Sequence, residues 1–190
     1  MSIALWVILG VLGVLLFMFI VIYNGLVRLR NQVKNAWAQI DVQLKRRYDL
    51  IPNLVDTVKG YTKHERETLE SVTNARNLAQ QLSSGGGSVG ARSKAETELS
   101  SALARLLVVV EAYPDLKASQ NFMALQEELT STENKISFSR QFYNDSVLRL
   151  NNQTQMFPSS IVAGMTGFKT EEFFELTVAE EREAPKVSFT

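Results

Sequence analysis

Residues able to do chemistry are scarce in this chain. His64 is the sole histidine and stands in the segment KHERET. An H-E-x-x-H zinc helix needs a second histidine at position 68, where Thr68 stands. A ferritin-like di-metal bundle needs Glu-x-x-His on two helices, which one histidine does not provide. The absence of cysteine removes disulfides, thiolate zinc sites and cysteine nucleophiles together. G-x-S-x-G occurs at residues 86–90, but no strand pattern precedes it, so the nucleophile elbow of a serine triad is not expected there. Glu127, Glu128 and Glu133 are candidate acids in a cleft, but on a charged helix they more often form a solvated face. Gly85, Gly87 and Gly90 spell G-x-G-x-x-G within SSGGGSVG. A dinucleotide site places that motif after a buried strand, whereas here it follows a long amphipathic helix and reads as a flexible helix-helix connection. The expectation is a chain with no catalytic residue, no cofactor and no metal site.

The most informative polar residue is Arg47, because it falls on a hydrophobic seam. A guanidinium there must be paired or must reach water along its stem. One reading is snorkelling near the membrane. The other makes Arg47 a buried polar pair member, matched by an acid on a neighbouring helix that fixes register.

The elements that position these residues begin with residues 3–27, IALWVILGVLGVLLFMFIVIYNGLV, ahead of the first charge at Arg28. A helix crossing a ~30 Å hydrocarbon layer needs about 20 apolar residues. In lipid a helix is the single-segment solution that satisfies every amide. Met1-Ser2 offers no basic n-region and no A-x-A-like site directly follows the apolar run, so an uncleaved single-pass anchor is expected. Beyond it, Val33, Trp37, Ile40, Leu44, Ile51, Leu54, Val58, Tyr61, Val72, Ala75, Ala79 and Leu82 fit one heptad seam over about 50 residues. Arg47 and Glu65 are the two seam positions wrong for a core. Pro52 lies inside the seam without breaking its phase, which predicts a kink within one helix rather than a turn.

A third helix is expected over residues 92–113, with Leu99, Leu103, Leu106, Val110 and Tyr113 on its face and Pro114 ending it. A fourth begins near Leu116 or Ser119 and reaches about Asn152. Its seam has Phe122, Leu129, Ile136, Tyr143 and Leu150 on one edge, and Leu125, Thr132, Ser139 and Ser146 on a polar edge. Phe157-Pro158 closes it. SSIVAGMTGF is too short to span a bilayer and is expected on the bundle or at the lipid interface. Thr170 with Glu171 and Glu172 resembles a capped helix start carrying Phe173, Phe174 and Leu176. The tail from Thr177 is acidic and expected to be extended.

Net charge is zero but unevenly placed. Residues 28–80 carry ten Lys/Arg against six Asp/Glu, or +4, and residues 111–190 carry seven against twelve, or −5. A basic membrane-near half suits anionic headgroups or the acidic half of a neighbour. No basic run interleaves with aromatics, so nucleic acid is not an expected partner. Arg28, Arg30, Lys34 and Lys45-Arg46-Arg47 all follow the anchor. The positive-inside rule then puts the body in the cytoplasm, at the inner face of the cell membrane, with the N-terminus outside.

Three blocks in order, QLKRRYDLIPNLVDTVKGYTKHE (43–65), AYPDLKASQNFMALQEELTSTENKISFSRQFYND (112–145) and FPSSIVAGMTGF (157–168), are followed by a closing APKVSF (184–189). Behind an N-terminal anchor, these resemble the bacterial LemA family over nearly the whole chain. The resemblance implies a membrane-anchored, antiparallel bundle described as four-helical, and implies no enzyme activity. Magnetosome-associated relatives tie the family loosely to membrane organisation, and some members are encoded beside a membrane metalloprotease. Neither association carries a catalytic residue onto this sequence.

The expected fold is therefore all-α: an N-terminal transmembrane helix followed by an antiparallel, four-helix-type bundle with coiled-coil-like seams. The expected organisation is an anchor at 1–27, a bundle at 28–152 with a loop at 83–90, and a C-terminal part at 153–190. That last part holds an apolar docking segment (Phe157, Ile161, Val162, Met165, Phe168), a short helix and the acidic tail. With a kink at Pro52, residues 28–82 reach roughly 80 Å and the returning helix about 33 Å. The next helix then heads away from the membrane. On that geometry Val33, Trp37, Ile40, Leu44 and Ile51 stay uncovered and form a candidate self-association seam. The leading functional expectation is a noncatalytic scaffold that self-associates on the bilayer as a homo-oligomer. An adaptor or regulator of a membrane protease or transporter is the alternative, with a membrane-protein partner. An enzyme with an unrecognised site comes last.

Overall fold

The computed structural model describes residues 3–62 and 64–175, and among them every regular element is helical. These are α1 (Ile3–Lys59), α2 (Arg66–Ser84), α3 (Val89–Val110), α4 (Pro114–Lys117), α5 (Gln120–Gln155) and α6 (Ser159–Thr166). The fold is all-α, an apolar N-terminal helix leading into a helical bundle. The tail from residue 176, including Leu176 and the APKVSF block, lies outside the described residues.

The chain forms two compact units, one of residues 3–39 with 139–173, the other of residues 40–138 with Phe174 and Glu175. The first holds the anchor. None of the most apolar 18-residue window of α1 is buried within the chain. A helix hydrophobic on every side and covered by nothing of its own belongs in lipid. Further along, Leu26, Val33 and Ala36 are buried, as are Tyr143, Val147 and Leu150 of α5. The Trp37 and Tyr143 rings meet with centroids 5.1 Å apart.

In the second unit α1 continues through Pro52 to Lys59. The expected single helix to residue 82 is in fact two helices, and the break lies at Gly60–Glu65. There the Gly60 amide donates to Asp56 O and Thr57 O, both at 3.2 Å. The Thr62 hydroxyl donates to Val58 O at 3.1 Å, so the last carbonyls are satisfied without a following turn. The heptad phase survives because the seam residues Val58 before the break and Val72 and Ala79 after it all face the core. Phase therefore did not distinguish one helix from a hairpin whose two arms share an interior.

α2 returns along α1, with Arg76 reaching the Tyr48 carbonyl at 3.1 Å. Gly85, Gly86 and Gly87 then turn the chain. Gly86 sits at φ 72 in the left-handed region that glycine tolerates. Ser88 caps α3 by accepting from the Ala91 amide at 3.2 Å. α3 runs in the direction of α1: Arg92 at its start meets Asp41, and Tyr113 past its end donates to Glu65 at 3.1 Å. α4, with proline in its first turn, makes the corner into α5. α5 then returns rather than heading away from the membrane. Its Glu128 pairs with Arg46 and its Glu133 with Arg47.

Two further expectations need correction. Val33, Ile40, Leu44 and Ile51 are all buried within the single chain, and Trp37 is partly covered. The stripe read as a self-association seam is thus core, because α1 stops at Lys59 and returning helices cover it. Nor does a helix start at Thr170, since Glu171 to Glu175 are not helical. The Glu171 amide donates to Asn151 Oδ1 at 2.8 Å, and Asn151 Nδ2 donates back to Glu171 O at 2.9 Å. Tyr143 donates to Glu172 O at 2.9 Å. Side chains of α5 satisfy these backbone groups, so the segment gains nothing by coiling.

Candidate functional site

α3 carries two charged residues on its buried face. Leu99 and Leu103 define that face, and one heptad earlier it holds Arg92 and Glu96, both buried. Arg47 of α1 is 0% exposed, with Nη2 on Glu96 and Nη1 at 2.7 Å from Glu133 Oε1 and 3.1 Å from Ser100 Oγ. Tyr48 donates its hydroxyl to the other Glu96 oxygen. Arg92 pairs with Asp41 and lies 3.0 Å from Ser83 Oγ. α1, α2, α3 and α5 thus contribute to one polar layer inside the second unit.

Burial pushes the Tyr48 hydroxyl above its ordinary range, against the lowering pull of Arg47 and Arg92. Tyr143, in the first unit, is pushed up to about 12, mainly by burial and then by Glu171 and Glu172. Both phenols stay protonated near neutrality and serve as hydrogen-bond donors. The polar edge of α5 is likewise satisfied: Thr132 donates to Glu128 O and Ser146 to Phe142 O, at 2.8 and 2.7 Å.

This layer ties α1 to α3 and α5 through ion pairs. His64 is exposed on the α1–α2 connection. Glu127 is exposed, while Glu128 and Glu133 are occupied with arginines. Among the described residues, no three His, Cys, Asp or Glu side chains converge as a metal site. Sequence reasoning picked out Arg47 but missed Glu96, Arg92, Asp41 and Tyr48. Extending the Leu99/Leu103 register back one heptad points to Arg92 and Glu96.

The apolar docking segment divides by face. Val162 of α6 is buried, and Phe168 is partly covered. Phe157, Ile161 and Met165 are 80%, 56% and 73% exposed. Gly167, at φ 74, ends α6, and the Phe168 amide closes on Ala163 O at 3.0 Å. The Phe168 ring then stands 6.1 Å from the Tyr23 ring, with the Arg30 guanidinium 5.0 Å over it.

The LemA family description matches residues 36–189. Protein LemA of Metamycoplasma hominis is 28% identical over 154 residues, covering 80% of this chain and 68% of the relative. Magnetosome protein MamQ 1 of Paramagnetospirillum magneticum is 25% identical over 175 residues, covering 80% of this chain and 64% of the relative. Magnetosome protein MamQ of Magnetospirillum gryphiswaldense is 24% identical over 174 residues with the same shares. The chain therefore spans about two thirds of the length of these relatives. None of these names denotes an enzyme. With the family match covering residues 36–189 and an apolar helix ahead of a helical bundle, the chain belongs to the LemA family.

Proposed function

We propose that the protein is a noncatalytic, membrane-anchored scaffold that holds its bundle at the inner membrane face and self-associates there. The observation that carries this reading is α1, one helix from Ile3 to Lys59 that is lipid anchor at one end and core of the bundle at the other. The interior it enters is closed by paired charges and packed apolar side chains. The basic flank of the anchor supports a cytoplasmic body.

The buried stripe of α1 is unavailable for contacts between copies, so self-association falls to the outer surface. Phe138 of α5, 72% exposed, and Met123, 48% exposed, are apolar positions on that surface. The test is light scattering on the full chain in detergent, alongside Phe138→Lys. The expected result is a mass above one chain that falls with the variant. A monomeric parent ends the self-association reading and leaves the anchored scaffold.

A further inference from the structure

We propose that α6, with the Met156-Phe157 step before it, is a second membrane contact: an interfacial element lying in the headgroup layer beside the anchor. Its placement comes from the first unit alone. The anchor's apolar run ends at Val27, and Arg28 is the first charge. Tyr23 and Arg30 bracket that boundary, where an aromatic ring and a snorkelling arginine mark the membrane–water interface. Both touch Phe168, which is held at the end of α6 by the Gly167 turn. That contact brings the C-terminal end of α6 to the level at which α1 leaves lipid.

The composition of the segment suits that level. No charged residue occurs from Leu150 to Phe168. Ser159, Val162 and Ala163 face inward and are buried. Met156, Phe157, Ile161 and Met165 point outward, each at least half exposed. Ile161 and Met165 stand four residues apart within α6 and share one side, and Phe157 is exposed in the turn just ahead of the helix. Two hydroxyls of α6 are spent on backbone: Ser159 donates to Met156 O at 2.8 Å and Thr166 to Val162 O at 2.6 Å. Entry into a less polar layer therefore strands few polar groups. An apolar face beside a helix already in lipid extends the existing lipid contact. The occupant is the bilayer surface.

The chain has no cysteine, so a single substitution gives one labelling site. Phe157→Cys, Ile161→Cys and Met165→Cys, with Val108→Cys as the exposed control, carry a nitroxide in the full chain. The protein is reconstituted in phosphatidylcholine vesicles with a minority of phosphatidylglycerol. Spin-label collision rates with oxygen and with a water-soluble nickel chelate report depth. The expected result is several-fold less nickel contact and more oxygen contact at all three sites than at the control. Nickel contact equal to that of the control overturns the proposal. Protection from both quenchers also overturns it, because the face is then covered by protein; loss of that protection on dilution with lipid identifies a second copy.

Discussion

Arg76 donates its Nε–H to the backbone carbonyl of Tyr48 at 3.1 Å, and Tyr48 is the residue four before Pro52. In an unbroken helix that carbonyl accepts from the amide of residue 52, which proline lacks. A side chain from α2 thus takes the place of the missing donor. This supplies a physical reason why α1 passes through Pro52 rather than turning there.

The first prediction tests that compensation. Arg76→Met should cost about 1–3 kcal/mol, the penalty for leaving a covered carbonyl without its partner. In a Pro52→Ala background, where an amide returns, the cost should shrink. Urea unfolding of the full chain in detergent, run as a double-mutant cycle, measures both. Equal costs in the two backgrounds would separate the bond from the proline.

Removing Arg47 leaves Glu96 and Glu133 facing each other without their shared cation. Arg47→Met should therefore destabilise the bundle by about 3–5 kcal/mol. A triple replacement, Arg47→Met with Glu96→Leu and Glu133→Leu, should recover most of the loss, because an apolar layer then replaces the ion pairs without stranding a buried charge. Chemical unfolding of the two variants decides this, and a single variant within about 0.5 kcal/mol of the parent refutes the central role of the pair.

Burial of the α1 stripe predicts a packing effect. Ile40→Ala and Leu44→Ala should each cost about 2–5 kcal/mol in unfolding free energy, as at other fully buried aliphatic positions. Neither should change the scattering mass while the protein remains folded. A variant that changes mass with unaltered stability would return the stripe to an interface between chains.

Alkaline stability should report Tyr143. Its folded-state pKa is raised from 10.0 to about 12, so between those values the unfolded chain loses its proton first. The contribution is complete below about pH 10 and is lost as pH rises towards 12. Thermal unfolding of the parent should fall more steeply across that window than that of Tyr143→Phe. Parallel curves would show that the phenol does not carry the effect.

Topology is open to a direct test through the same lack of cysteine. Ser84→Cys, at the exposed end of α2, should resist a membrane-impermeant thiol reagent in intact cells and react after lysis. Labelling before lysis places the body outside.

Local and periodic features were legible in the sequence. The anchor follows from an uncharged run, and the faces of α3 and α5 from heptad spacing. Arg47 stood out as a charge among apolar neighbours. Tertiary structure decided which faces meet. The seam from Val33 to Leu82 keeps its phase across the Gly60–Glu65 break, so periodicity did not reveal that the chain folds back there. It consequently misassigned a core stripe as an open one. The partners of Arg47 lie 49 and 86 residues away in sequence, and only the return of α3 and α5 brings Glu96 and Glu133 to it. Helical spacing reports the direction in which a side chain points; the partner it meets is set by where the chain turns, and those turns depend on capping and burial summed over several helices.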